Sequence, residues 1–181
     1  VIEDCAQAIL TKWNNTYVGS FGETGTISFF PGKNLGAYGD AGGIITSDEE
    51  LFLNMKRFAN HGSLKKHMHE IEGINSRLDS IQASILNVKI KYIKQWIAMR
   101  REAANLYNEK LGGIEEIVLP QTHELCTHTY HLYVIKTKFR DELALFLKNA
   151  GIDTGVHYPR ALPELECYQY LNLDLSTYSN A

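Results

Sequence analysis

Ser28-Phe29-Phe30-Pro31-Gly32-Lys33-Asn34-Leu35-Gly36 decides how this chain folds. The run Thr26-Ile27-Ser28-Phe29-Phe30 is β-branched and aromatic, which suits a strand, and Pro31-Gly32 ends it. One lysine, Lys33, therefore stands in a glycine-bearing loop directly after a strand. Towards the N-terminus, Val1-Ile2-Glu3-Asp4 reads as the last turn of a buried parallel strand. That puts the Asp4 carboxylate at the C-terminal strand edge, where open α/β sheets bind ligands.

Downstream, Gly42-Gly43-Ile44-Ile45-Thr46 reads as a second short buried strand. Ser47 is expected to cap a helix, with Glu50 completing a capping box and Leu51, Met55 and Phe58 as its apolar stripe. Asn60-His61-Gly62-Ser63 ends that helix, and the polar, histidine-rich run 64–74 reads as a loop. A long helix is expected from a Ser76 cap, with Asp79 at the third position, to the Gly112-Gly113 stop. Its apolar positions are Leu78, Ile81, Ile85, Ile93 and Trp96. Unbroken, about 35 residues at 1.5 Å rise would span roughly 50 Å. A helix of that length links domains or braces a dimer, so a boundary is placed inside it, giving domains 1–95 and 96–181. In the second, Thr129–Ile135 and 152–156 read as strands around a helix over 140–149 with Leu143, Phe146 and Leu147 apolar. Gly151 is the expected C′ residue of that helix. This strand–helix–strand piece suits a small, incomplete α+β domain.

The bulk properties exclude some classes. A formal net charge of −3 gives no basic footprint for nucleic acid. No apolar run approaches the roughly 18 residues of a membrane helix, and no charged n-region followed by an apolar h-region opens the chain. Cys5, Cys126 and Cys167 are odd in number and far apart, so neither a disulfide framework nor a zinc knuckle is expected and a reducing, cytoplasmic setting fits. A strand at residue 1 and a last stretch, Ser176–Ala181, without a terminal element lead us to expect a piece of a longer protein.

Lys33 and Asp4 together suit pyridoxal phosphate (PLP). A lysine amine forms a Schiff base with the cofactor, and a carboxylate keeps the pyridine nitrogen protonated so that the ring withdraws electrons. Gln7 can hydrogen-bond the ring's phenolic oxygen. A phosphate-binding Walker loop is the rival for Gly32-Lys33, but it requires glycine six residues before the lysine and Ser or Thr after it. Ile27 and Asn34 occupy those places. Taken singly, Lys33 could be a surface lysine in a turn and Asp4 an N-cap. His67-x-His69 and His128-x-x-His131 raise the question of metal, but the second pair has no cysteine or acidic partner at ligand spacing, so no metal is expected.

The chain resembles the DegT/DnrJ/EryC1/StrS family of PLP-dependent nucleotide-sugar aminotransferases in five places. These are Glu3-Asp4-x-Ala6-Gln7, the Ser28–Asp40 segment, Asn60-His61-Gly62, Gly73-x-Asn75-x-Arg77-Leu78-Asp79 with Gln82-Ala83, and Gly155-Val156-His157-Tyr158-Pro159. The resemblance implies part of a fold type I large domain, α/β in class, followed by the small domain. It implies Lys33 as the Schiff-base lysine, Asp4 and Gln7 on the ring, and Ser28 on the cofactor phosphate. It further implies that Asn75 reaches the phosphate held by the other subunit of a homodimer, and that His157 and Tyr158 lie near the sugar. The implied reaction moves an amino group from an amino acid, glutamate being the expected donor, to a keto group of a nucleotide-linked deoxysugar. His67 stands where family members often carry tyrosine, and Arg160-Ala161-Leu162-Pro163 departs from the commoner form, which points to a different sugar. Family dehydratases replace the Schiff-base lysine with histidine, so Lys33 argues against that chemistry. A binding or regulatory protein that keeps the fold without turnover, and an inactive fragment, are the other readings.

Overall fold

The apolar runs that end in Asp4 and precede Lys33 become neighbours in one sheet. In the computed structural model, which describes residues 1–178, the chain opens with β1 (Ile2–Asp4), β2 (Lys12–Trp13), β3 (Thr16–Tyr17), β4 (Thr24–Ser28) and β5 (Gly42–Ile45). β1 runs parallel to β4 with Asp4 opposite Thr26, and β5 lies antiparallel on the far side of β4. β1 is a sheet edge among the described residues, and Ile2 is 75% exposed, so the burial expected for this strand is not observed. β4 ends two residues earlier than expected. The reason is Phe29, whose N–H donates to Ala41 O at 2.9 Å and whose carbonyl accepts from Ala37 N at 2.7 Å. Its peptide groups close the Lys33 loop instead of extending a ladder.

Glu3 ties β1 to the turn before β4. Its carboxylate accepts from the N–H groups of Gly19, Phe21 and Gly22 at 2.7, 2.6 and 2.7 Å. The backbone passes close here: a Cβ on Gly25 would lie 2.4 Å from Gly19 Cα, so only glycine fits. Hydrogen bonds from Gly22 and Gly19, opposed by burial, hold the Glu3 carboxyl below its ordinary range. A carboxyl whose folded pKa is depressed stabilises the fold above the unfolded pKa of about 4.3 and loses that contribution as pH falls through the folded value. Glu3→Gln is therefore expected to lower the urea midpoint at pH 7. The gap to the parent should close as the pH is taken below the ordinary glutamate range; a pH-independent gap would contradict this role.

α1 (Glu49–Ala59) is capped by Asp48, whose side chain accepts from Leu51 N at 2.9 Å. The expected cap, Ser47, is one residue too early, because Thr46 Oγ1 accepts from Asp48 N and turns the chain there. The expected long helix is two: α2 (Ser80–Lys89), with Asp79 rather than Ser76 at the N-cap, and α3 (Ile93–Leu111). Residues 90–92 form a tight turn with Tyr92 N bonding Lys89 O at 3.0 Å. The buried face is Leu86, Ile93 and Ile97, packed with Leu35 and Ala37 of the Lys33 loop. Leu78 and Ile81 of the expected stripe are instead 41% and 69% exposed.

β6 (Ile117–Val118), β7 (Cys126–Thr127), β8 (Lys136–Thr137) and α4 (Arg140–Asn149) follow. β7 pairs with β2, and β6 with β8, both antiparallel. The strand expected over 129–135 is absent. Tyr130 adopts a left-handed φ of 44°, the carbonyls of Tyr130 and His131 accept from Arg100, and that of Thr129 accepts from Asn34, while Arg101 holds the carbonyl of His128 just before the run. Residues 152–156 are likewise irregular, while Gly151, at φ 77°, follows α4 as its C′ residue. Short 3₁₀ turns occupy 162–164, 166–171 and 175–178; the remainder of the end expected to be featureless, 179–181, lies outside the described residues.

By packing, the chain forms two compact units: 1–114 with 119–133, and 115–118 with 134–178. All of α3 belongs to the first. No helix among the described residues is long and apolar enough to cross a membrane.

Candidate functional site

Asp4 and Ser28 are the last residues of β1 and β4, and the two strands are parallel, so both stand at the same sheet edge. With Asp4 in register with Thr26, Ser28 lies two residues, or about 7 Å, further along its strand. The loop that carries Lys33 leaves from that edge. Its shape comes from Lys33 N donating to Phe30 O at 2.9 Å and from the Phe29 bonds already described. Gly36 is required there, since a Cβ would lie 2.2 Å from Pro31 O.

The Asp4 Oδ1 accepts from Ala6 N at 3.0 Å, which makes the turn through Cys5-Ala6-Gln7. The turn closes with Ala8 N on Cys5 O at 3.0 Å, and Gln7 is exposed on it. The capping behaviour open to Asp4 from sequence is thus realised by one oxygen, while Oδ2 has no partner among the described residues. Lys33 is half-buried, and its ammonium makes no hydrogen bond or ion pair among those residues. Ser28 Oγ accepts from Phe30 N at 3.2 Å, which leaves its hydroxyl hydrogen to donate elsewhere. A carboxylate oxygen and a hydroxyl hydrogen thus stand uncommitted at one strand edge, and the loop that leaves it carries an uncommitted amine. That donor set fits an aromatic ring with a cationic nitrogen, a carbonyl and a phosphate.

Beside them, Cys5 is buried, and its thiol is pushed up by burial and by the Glu3 and Asp4 carboxylates. It stays a neutral thiol and does not compete with Lys33 as a nucleophile.

Asn75 lies in the exposed run before α2, tied to the end of α1 by a backbone bridge to Asn60. Its Oδ1 accepts from Arg77 Nε at 3.0 Å, and Arg77 Nη1 also reaches Asn60 Oδ1 at 3.1 Å. The Asn75 amide nitrogen is thereby left as a donor. His157 and Tyr158 belong to the second unit, where both are exposed and their rings lie 5.3 Å apart.

Sequence reading missed the residues that hold the Lys33 loop. Asn34 is buried and bonds Thr129 O and His131 Nδ1, each at 3.2 Å. The Lys89 ammonium donates to Gly36 O, and Gln82 Oε1 accepts from Tyr38 N at 2.8 Å. His128 is pushed down by burial and by Arg101, so its Nδ1 stays an acceptor for Tyr130 N at 3.0 Å. The one local signal was an amide residue directly after the lysine.

A family model described as the DegT/DnrJ/EryC1/StrS aminotransferase family matches residues 1–181. The chain is 46% identical over 166 residues to a protein of Geobacillus stearothermophilus named pleiotropic regulatory protein, covering 90% of this chain and 44% of that one. It is 42% identical over 159 residues to UDP-N-acetyl-3-dehydro-alpha-D-glucosamine 3-aminotransferase of Acidithiobacillus ferrooxidans, covering 88% of this chain and 43% of that enzyme. The crystal structure of S. venezuelae DesV in complex with a ketimine intermediate superposes with a TM-score of 0.91 at 37% identity, over 93% of this chain and 46% of that one. The chain spans less than half the length of these relatives. The fold class expected above, an α/β part of the fold type I architecture with a smaller α+β region, is the fold observed.

Proposed function

Because this chain belongs to the DegT/DnrJ/EryC1/StrS aminotransferase family, we propose that it carries the lysine-bearing half of a PLP-dependent sugar aminotransferase. The reaction is transfer of an amino group from an amino acid, with glutamate as donor, to a keto carbon of a nucleotide-linked deoxysugar. One observation carries the assignment. Asp4 and Ser28 end parallel strands at one edge and the loop that carries Lys33 leaves from it, and Asp4 Oδ2, the Ser28 hydroxyl hydrogen and the Lys33 amine are all uncommitted among the described residues.

Pyridoxal phosphate, when bound, supplies an electron-withdrawing ring that accepts the electron pair released at the substrate carbon. Lys33 would hold it covalently through Nζ. The same amine would serve as the base that takes a proton from the donor's Cα and, once protonated, as the acid that returns it. Asp4 would face the ring nitrogen and keep it cationic. Gln7 would donate to the phenolic oxygen and Ser28 to the phosphate. Asn75, its oxygen held by Arg77, would donate to the phosphate of the other subunit, which makes a homodimer the working unit. His157 and Tyr158 would contact the sugar. In this functional sense 1–95 is part of the PLP-binding large domain and 96–181 the smaller domain, although α3 packs with the first unit. The free thiols Cys5, Cys126 and Cys167 support a cytoplasmic setting.

A binding or regulatory role without turnover rests on nothing beyond the name of the Geobacillus relative. A half-reaction separates the two readings. With PLP bound, adding glutamate to the full-length protein should bleach the yellow colour, and a nucleotide-linked keto sugar should restore it. Colour that persists with glutamate would contradict turnover.

A further inference from the structure

Residues 129–131 join the two halves of the proposed site. Asn34, 7% exposed, donates from Nδ2 to Thr129 O at 3.2 Å, and its Oδ1 lies 3.2 Å from His131 Nδ1. Thr129, 1% exposed, shares a hydroxyl–hydroxyl bond of 3.0 Å with Thr11. Thr11 in turn bonds Ala8 O through its N–H at 2.9 Å, at the end of the turn that starts with Asp4. A path of buried polar contacts therefore runs from the lysine loop to the acid-bearing segment through Thr129.

The far side of that path is held as well. Arg101 donates to His128 O at 2.8 Å, and Arg100 to the carbonyls of Tyr130 and His131, each at 3.2 Å. Two arginines on α3 thus fix the strap on which Asn34 rests.

We infer that Asn34 is a positioning residue for the reaction, holding the Lys33 loop at a set place relative to the Asp4 segment, with Thr129 as its anchor. This rests on the reading of Lys33 as the cofactor's anchor. Leu35 and Ala37 also attach the loop to the core, but apolar burial is non-directional and tolerates sliding. The Asn34 amide does not slide. A carbonyl oxygen only accepts, so Nδ2 must face Thr129 and Oδ1 must face His131, and a buried amide left unpaired is costly. The order of effect follows from the chemistry asked of Lys33: a displacement of about 1 Å at a reacting group can lower a rate 10²-fold.

Asn34→Ala in the full-length protein is expected to speed hydrogen exchange of the Lys33 and Ala37 amides about tenfold in the cofactor-free state. In the loaded protein we expect kcat to fall about tenfold while KM for the amino donor changes less than about twofold. The pH midpoint of the bound cofactor's visible absorbance should shift. Slower turnover with an unshifted midpoint would mean a merely structural role and would overturn the inference, as would unchanged exchange. Should Asn34→Ala fail to fold, Thr129→Val keeps the carbonyl but removes the hydroxyl bond to Thr11. A smaller change of the same kind supports the inference, and none overturns it. Reductive trapping on the parent separates the two levels. Cofactor on Lys33 with an inert Asn34 sinks this inference alone; cofactor on another lysine sinks both.

Discussion

Lys33→Ala in the full-length protein is expected to abolish amino transfer, with kcat at least about 10³-fold lower. Two losses combine. The covalent hold on the cofactor disappears, and so does the base that moves the proton; a positioned general base alone is worth about 10²–10⁴-fold. A 10³-fold loss corresponds to about 4 kcal/mol of barrier. Lys33→Arg should be equally inactive, because a guanidinium keeps its proton and cannot act as the neutral amine. Both variants should remain folded, since the Lys33 side chain makes no hydrogen bond or ion pair among the described residues, and the loop bonds run through the backbone and through Asn34. Steady-state kinetics with urea midpoints checks this. Turnover within tenfold of the parent in a folded Lys33→Ala protein would remove Lys33 from the mechanism.

The second large effect is expected at Asp4. Asn at this position keeps an oxygen to accept from Ala6 N, so the turn should survive Asp4→Asn. What it loses is the negative charge that the proposed function sets against the ring nitrogen. An opposite charge at close range shifts a pKa by about 1–3 units, and each unit is worth 1.36 kcal/mol. We therefore expect kcat to fall by about tenfold to 10³-fold, with an unchanged urea midpoint and with Asp4→Glu recovering part of the loss. Titration of the bound cofactor's absorbance, together with kcat, makes the test. A kcat equal to the parent's would show that Asp4 does not face the ring.

What could be read from sequence was what is local. The strand before Lys33, the parallel strand ending at Asp4, and the helix 140–149 with Gly151 after it each depend on residues within a few positions of one another. The positions of Asp4 and Ser28 fell into the same class, since each is the last residue of a strand. What failed was decided by distant partners. The run 129–135 has the composition of a strand, but Arg100 and Asn34 take carbonyls at its start and Tyr130 turns left-handed. The long helix breaks at 90–92, where Leu86 on one side and Ile93 on the other both turn to the core around Leu35 and Ala37. Asn34 meets partners 95 and 97 positions away, and no periodicity announces such a contact.

The failures at 129–135 and at Asn34 share one origin. Backbone carbonyls and buried amides must find partners, but sequence pattern shows only the partners a ladder or a helix would supply. Where arginine and asparagine side chains replace the ladder, the segment reads as a strand and folds as a strap. In this chain that strap lies against the lysine loop.

Borohydride reduction of the full-length, PLP-loaded protein, followed by proteolysis and mass mapping, tests the central claim most directly. We expect a reduced pyridoxyl adduct on the peptide that contains Ser28 to Gly36, at Lys33. An adduct on any other lysine, with Lys33 unmodified, would contradict it.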